Sequence, residues 1–391
     1  MFFSATEKEK LILMLDVQSS VVRGSLVLFR KTAEPHVLFT YNADMPYKET
    51  TSSAYLIKTT LQAVSETIQA TLQYISVRTH TGEGNSQDTY IIPKKISSVH
   101  FCLSSPWIVS QAKVLKLTFA KDTKITQSYI VGLIEQERAK LTESTHDPLR
   151  VVEEKIFDVR LNGYSVRSWE GRDTRDLEVA FTASIAGTRM IERFIEECSH
   201  IVHANNIVFH SSLLLQYIAM ETVFPDRGNY SLIHIHGELT DLAIIRNHSC
   251  AFFGSYPSGV RTLIRTLADS AQHDNQAADS LLALYTSGQL DVSHSAESIS
   301  LIEQSALGWL EELKKLFVQS GLEPVPPLAV ILSAWAHDDF YLKMLAHAYP
   351  AIPLQILSID DMSSHIVFAA GTERRRLTAL YAIAINTMIY Y

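Results

Sequence analysis

Two apolar hairpins, each closing on a short polar turn, recur far apart in this chain, once near residue 16 and again near residue 237. Lys10–Val17 (KLILMLDV) and Arg23–Phe29 (RGSLVLF) are β-rich runs joined by the small polar turn Gln18–Ser20. From Tyr230 the pattern begins afresh: Ser231–Ile235, the turn His236–Leu239, Leu242–Arg246 and then Cys250–Phe253. No obvious sequence identity joins the two halves. The recurrence is architectural, and it constrains the chain to open a new sheet twice.

Helical and strand periods alternate between and after these hairpins. Leu56, Leu61, Val64, Ile68 and Leu72 carry the spacing of a long amphipathic helix over Glu49–Ile75. The polar run His80–Thr89 is expected to be an exposed loop, followed by a strand over Ser97–Leu103. Strand signals at Lys113–Phe119, Arg150–Val159 and Val179–Ile185 enclose a helix over Ser128–Leu141, and a second helix follows at Met190–Ile201. Helices are expected at Val260–Tyr285 and Glu297–Ser320. A buried strand Leu328–Leu332, another helix, a strand Leu354–Ile359 and a terminal helix Leu377–Tyr390 complete the chain. Strands and helices alternating throughout place it in the α/β class.

Bulk properties remove several classes of function. With 391 residues, 47% hydrophobic and 19% charged, the chain has material for two or three folding units and is not disordered. A net charge of −8 with scattered Lys and Arg argues against nucleic acid, whose phosphates require clustered cations. Cys102, Cys198 and Cys250 have neither pairing nor metal spacing and read as buried thiols in a reducing compartment. MFFSATEKEK has no signal-peptide core, and no run reaches the ~18 apolar residues of a membrane span, so the expected location is cytoplasmic.

The order of segments resembles the actin and sugar-kinase superfamily, most of all its bacterial PilM/FtsA branch. The family's first turn reads Asp–hydrophobic–Gly–Ser/Thr–Ser with a Lys or Arg shortly after; here it is Asp16–Val17–Gln18–Ser19–Ser20, then Arg23. The second turn, Asp–hydrophobic–Gly–Gly–small–Thr–Thr–Asp in the family, is His234–Ile235–His236–Gly237–Glu238–Leu239–Thr240–Asp241. A Pro–x–Gly step into a helix is matched by Pro257–Ser258–Gly259, and the family's closing helix by Leu377–Ala384. The resemblance implies a two-lobed actin-like, ribonuclease H-like fold. Lobe I would occupy 1–106 and 189–227, an inserted small α/β subdomain 107–188, lobe II 228–365, and 366–391 a C-terminal helix returning to lobe I. In such folds the two turns offer N–H groups and hydroxyls to the β- and γ-phosphates of ATP from both sides, and carboxylates hold Mg²⁺.

The departures from that pattern fall on the chemistry. Gln18 stands where the first turn expects Gly, His234 where Asp would serve Mg²⁺, and His236 and Glu238 where small residues belong. His210, with Ser211, replaces an acidic residue that positions the attacking water. Ala334 and Trp335 follow a buried strand where the adenosine motif expects Gly–Gly. Asp16, Ser19, Ser20, Arg23, Gly237, Thr240, Asp241 and Gly259 remain as vestiges, Thr240 and Asp241 also readable as plain turn-satisfying residues. The expectation is a chain without catalytic residues, metal or cofactor, with ATP and Mg²⁺ as the alternative. His210, His234 and His236 as a transition-metal site is a further alternative, set against packed histidines filling the vacated space.

The resemblance then implies a PilM-like scaffold that docks the short cytoplasmic tail of an inner-membrane PilN-like protein, in a groove involving the inserted subdomain, and contacts other pilus motor components. Self-association is a further partner expectation. An FtsA-like division protein, an active ATPase with an unusual site, and a ligand- or metal-binding module reusing the dead cleft are the competing readings. Arg374–Arg376 ahead of the terminal helix could mark a membrane-surface anchor, but that helix is apolar nearly all round, the mark of a core element. His200 and His203, three apart, are read as surface residues near the end of the helix Met190–Ile201.

Overall fold

Strand β1 (Lys10–Val17) is buried on both faces from Leu11 to Val17, which places it inside a sheet covered on two sides. The computed structural model describes residues 9–46, 52–81, 93, 95–142, 148–290, 292–322, 329–333 and 337–390. β1 pairs antiparallel with β2 (Val21–Arg30), which pairs with β3 (Ala33–Asp44). Helix α1 (Ser53–Thr81) crosses back, so that β4 (Ser98–Leu103) lies parallel to β1. The alternation of β1 is then used twice. Leu11, Leu13 and Leu15 pack with Val64 and Ile68 of α1, while Ile12 and Met14 face the other core.

The inserted unit leaves from β4. Strand β5 (Ile108–Lys124), helix α2 (Gln127–Thr142), β6 (Leu149–Leu161), β7 (Tyr164–Ser165) and β8 (Asp173–Gly187) form a four-stranded sheet in the order β5-β8-β6-β7. It has its own core, Ile125, Ile130, Ile134, Val159, Leu177, Val179 and Phe181. Its strands extend beyond the stretches whose apolar runs announce them. The chain returns through α3 (Thr188–Cys198) to β9 (Ile207–Ser211), which pairs parallel with β4, and then enters α4 (Ser212–Val223).

The second sheet repeats the logic. β10 (Tyr230–Ile235), β11 (Thr240–Arg246) and β12 (Ser249–Tyr256) form an antiparallel meander, followed by α5 (Val260–Ala271), α6 (Asn275–Thr286) and α7 (Val292–Gln319). β13 (Ala329–Ser333), α8 (Asp338–Ala348) and β14 (Leu354–Ile356) add two parallel strands beyond β10. β15 (Val367–Phe368) then pairs with β3 of the first sheet, and α9 (Arg376–Tyr390) closes the chain.

α4 and α9 lie between the two sheets in one core. Ile12, Met14 and Val27 of the first sheet and Tyr230, Leu232, Ala243 and Ile245 of the second meet on these two helices. Every residue of α9 from Leu377 to Ile385 is buried, so the terminal helix is a core element and not a surface anchor. Each fully buried Leu or Ile there contributes about 1.5–3 kcal/mol of apolar transfer.

Several expectations are corrected. The single helix read over Val260–Tyr285 is two helices. Gln272 turns left-handed at φ 54°, and the Asp274 side chain accepts from Ala277 N at 2.7 Å, capping α6. The apolar period runs across this break, which hides it from pattern reading. β3 and α4 carry no clear signal. In α4 the nine residues Ser212–Met220 are all buried, so there is no polar face to reveal a period. α3 ends at Cys198, so His200 and His203 lie beyond it; the His203 ring accepts from Asn205 N at 3.2 Å and caps a short 3-10 turn, Ala204–Asn206. Residues 82–89 of the expected loop, and Ala334 and Trp335, lie outside the described residues. Among the described residues no helix is long and apolar enough to cross a membrane.

If α9 is core, Leu380→Ala, at a position with no exposed surface, will lower unfolding free energy by about 2–5 kcal/mol in chemical denaturation.

Candidate functional site

The turn between β1 and β2 and the turn between β10 and β11 point at one another across the lobes. Both are tight because their own backbone closes them: Gln18 N donates to Val21 O at 3.1 Å, and His236 N to Leu239 O at 2.8 Å. They then join directly. Glu238 N donates to Ser19 Oγ at 3.0 Å, and the Gln18 amide oxygen and His236 Nδ1 stand 3.5 Å apart. Gly237 is required by this approach, since a Cβ there would sit 2.3 Å from Ser20 Cβ. Gly259 is required for the same reason, its Cβ falling 2.4 Å from His236 O. Helix α5 starts at this point, and its Arg261 donates to Ser20 O and Met45 O, tying lobe II to the far side of the first turn.

The residues singled out from the sequence are therefore brought together, but against each other. Asp16, Gln18, Ser19, Ser20, Arg23, His234, His236, Thr240 and Asp241 are each at most 6% exposed. Gln18 Nε2 donates to Asp16 Oδ2 at 2.8 Å, and Arg23 Nη1 to the same oxygen at 3.2 Å. Gln18 thus turns back onto the Asp16 carboxylate. His236 Nε2 sits 2.7 Å from Asp241 Oδ2, which also receives Ser105 N at 3.4 Å. Thr240 Oγ1 donates to Ser258 O at 2.7 Å and accepts from Trp309 Nε1 at 2.9 Å, a structural role inside lobe II. Glu238 does not hang free in the cleft: it pairs with Arg265 of α5, one contact being 3.1 Å.

Burial dominates the electrostatics. It raises the Asp16 carboxyl above its ordinary value, against the pull of Arg23 and Gln18. It lowers the Arg23 guanidinium, against the pull of Asp16. Both partners move toward neutrality, so desolvation outweighs their mutual attraction, and the pair specifies geometry more than it adds stability. Asp16 is 6% exposed, and its Oδ1 is buried without a hydrogen-bond partner.

The three histidines proposed as one cluster separate into two. His234 Nδ1 is 3.1 Å from Gln216 Nε2 of α4, and its ring lies 3.9 Å from that of His236. His210 instead lines up with His100, Nε2 to Nδ1 at 3.0 Å, and with Glu153 of the inserted sheet at 3.2 Å. Glu153 also accepts from Ser211 N at 3.1 Å, so one carboxylate anchors the inserted unit to the end of β9. Among the described residues no group of three or more His, Cys, Asp or Glu could hold a metal ion.

The partners that complete the site went unread in the sequence. Gln216 sits on the unrecognised α4, and Trp107, whose Nε1 donates to Gln18 O at 3.2 Å, precedes the inserted unit without any motif. Arg261 and Arg265 could have been found: they follow Gly259 by two and six residues, the first turns of the helix that must face the cleft.

Two predictions follow from this geometry. Gly259→Ala forces Cβ into a backbone carbonyl and will destabilise by about 1–3 kcal/mol. Gly308→Ala on the exposed face of α7, with nothing within 4 Å, will stabilise by about 0.5–1 kcal/mol in the same denaturation assay. The histidines set a pH dependence. Burial, then His210, pushes His100 from 6.5 down to about 3, and burial holds His234 well below its ordinary value. As pH falls from 6.5 toward 3 the unfolded chain binds protons at these rings and the folded chain does not, so stability is lost on acidification. His100→Gln will flatten that loss by up to about 1.4 kcal/mol per pH unit, read from urea midpoints between pH 7 and pH 4.

No family model matches this sequence, and no curated protein matches it. Solved structures do. The chain superposes on the "PilM-PilN type IV pilus biogenesis complex" with a TM-score of 0.62 at 10% identity, covering 97% of each chain. Weaker likenesses include the ethanolamine utilization protein EutJ from Carboxydothermus hydrogenoformans (TM-score 0.41, 11% identity, 97% and 89% covered). Another is a Bacteroides thetaiotaomicron protein described as having an actin-like ATPase fold and unknown function (TM-score 0.37, 8% identity, 93% and 98% covered). With two hairpin-led sheets, two helices between them and a subdomain inserted in the first lobe, this chain has the two-lobed actin-like fold.

Proposed function

We propose that the chain is a PilM-like scaffold of a type IV pilus, or a related type II secretion-like, inner-membrane assembly, working through protein binding and not through ATP turnover. The observation that carries this reading is the closed seam between the two turns. In a working site of this fold, phosphate and Mg²⁺ occupy the space where Ser19 meets Glu238 N and Gln18 meets His236. Phosphoryl transfer depends almost wholly on positioning and on the metal's charge. Here the turn N–H of Glu238 is already satisfied, Asp16 is committed to Gln18 and Arg23, and His234 is a buried neutral ring. On this reading Gln18, His234, His236 and Glu238 are adaptations that hold the lobes together, and His210 one that fastens the inserted unit.

The partner on this reading is the short cytoplasmic tail of a PilN-like inner-membrane protein, which would hold the chain at the cytoplasmic face of that membrane. A groove of about 680 Å³ between α1 and α3 suits such a peptide. Its floor is apolar (Ile57, Leu61, Met190) and its rim charged in both signs (Lys58, Arg193, Glu196), the composition of a helix-in-groove site. α3 begins where the inserted sheet ends, so the groove adjoins that subdomain.

A phosphate-release assay with excess Mg²⁺ will show no ATP hydrolysis above the protein-free rate; turnover would sink the reading. A PilN-like tail peptide will bind by fluorescence anisotropy. Ile57→Glu, at a side chain already 40% exposed, will weaken it at least tenfold with an unchanged circular dichroism spectrum.

A further inference from the structure

The groove between α1 and α3 carries its charges in an order, and that order follows from the way the two helices run. β3, β1, β4 and β9 all point the same way. Met45, Tyr41 and Leu38 along β3 meet Thr60, Glu66 and Tyr74 along α1, so α1 runs antiparallel to these strands. α3 starts where β8 ends, with Ala186 of β8 opposite Ile108, just past the carboxyl end of β4. It ends ahead of β9, whose Ile207 stands opposite Val99 at the amino end of β4. The two helices are therefore parallel, and their amino ends share one end of the groove.

Lys58 and Arg189 stand at that end, Arg193 one turn further along, and Glu196 and Glu197 at the other end, roughly 12 Å from Arg189 by helix rise. The partial positive charge of two helix amino ends adds to the cationic end. Glu192 is the exception to the order; two residues from the floor residue Met190, it lies around the helix on the outer rim. Among the described residues none of these six charged side chains makes an ion pair or a side-chain hydrogen bond. Arg193 and Glu197 are four apart on one helix, but cation before carboxylate is the weaker order for such a pair. Between the two ends the floor is apolar and open: Ile57 is 40% exposed, and Leu61 and Met190 are half-buried.

We propose that the groove selects its occupant by charge order. The occupant is a short amphipathic peptide segment with acidic residues at one end, over Lys58, Arg189 and Arg193, and basic residues at the other, over Glu196 and Glu197. Its apolar face lies on Ile57, Leu61 and Met190. A uniformly acidic or uniformly basic segment satisfies one end of the groove and sets like charges together at the other, and such juxtaposition rejects wrong partners. Because the groove charges are not spent on one another, each is available to the occupant. The inference rests on the peptide-scaffold reading for the site and adds the chemistry of what the site accepts.

Three synthetic peptides that share one apolar face test it by fluorescence anisotropy with the full chain at fixed ionic strength. One carries Glu at one end and Lys at the other, one Glu at both ends, and one Lys at both. The mixed peptide is expected to bind at least tenfold more tightly than either uniform one, and carbodiimide coupling to join one of its carboxylates to Lys58. In Lys58→Glu/Arg193→Glu the preference passes to the Lys peptide, and in Glu196→Lys/Glu197→Lys to the Glu peptide. None of these four side chains is buried, so both variants keep the native circular dichroism spectrum. Equal affinity for the three peptides, or variants that keep the native ranking, would overturn the charge order and leave the peptide-binding reading standing. Failure of every peptide, the PilN-like tail included, would remove both.

Discussion

The contact on which the arrangement of the lobes depends is the seam between the two polar turns. Ser19 accepts the Glu238 N–H, Gly237 lets Ser20 approach within van der Waals distance, and Arg261 carries two further hydrogen bonds across to Ser20 and Met45. Parting the lobes would leave these buried groups unsatisfied until water entered, at about 1–3 kcal/mol for each. The buried side chains of Gln18 and His236 supply bulk that fills the space between the turns. Gln18 and His236 meet across the seam and help hold the two turns together.

Below the seam, α4 and α9 turn the two sheets into one object. Each sheet has an outer face covered by its own helices and an inner face buried against these two helices, with Leu357, Met362 and Ile366 in the same core. Hydrophobic continuity through α9 places the three arginines at its head beside Arg23. Arg23, Arg374, Arg375 and Arg376 line one cavity there.

The inserted unit is not a loosely appended domain. Glu153 grips His210 and Ser211, Ser110 bonds both Ser184 at 2.8 Å and Ser211 at 2.9 Å, and Phe157 meets Tyr217 of α4 edge-on at 5.2 Å. His210, read from the sequence as a lost catalytic position, is in the structure a fastening point for the insertion.

Element type was legible wherever one face is polar or a turn is chemically marked. The two hairpins, α1, the strands around the insertion and α7 all announce themselves because solvent leaves a period or a turn residue in the sequence. The period fails where burial is complete, as in α4, and where an amphipathic stripe bridges a capped break, as between α5 and α6. The sequence by itself determined the α/β class, the repeated hairpin turns and which residue types stand in them, because these follow from local pattern and side-chain chemistry. Only the tertiary structure decided that those turns satisfy one another, that His210 and His234 face different neighbours, and that four arginines share a cavity. Those facts depend on which distant segments meet, and no spacing along the chain encodes that meeting.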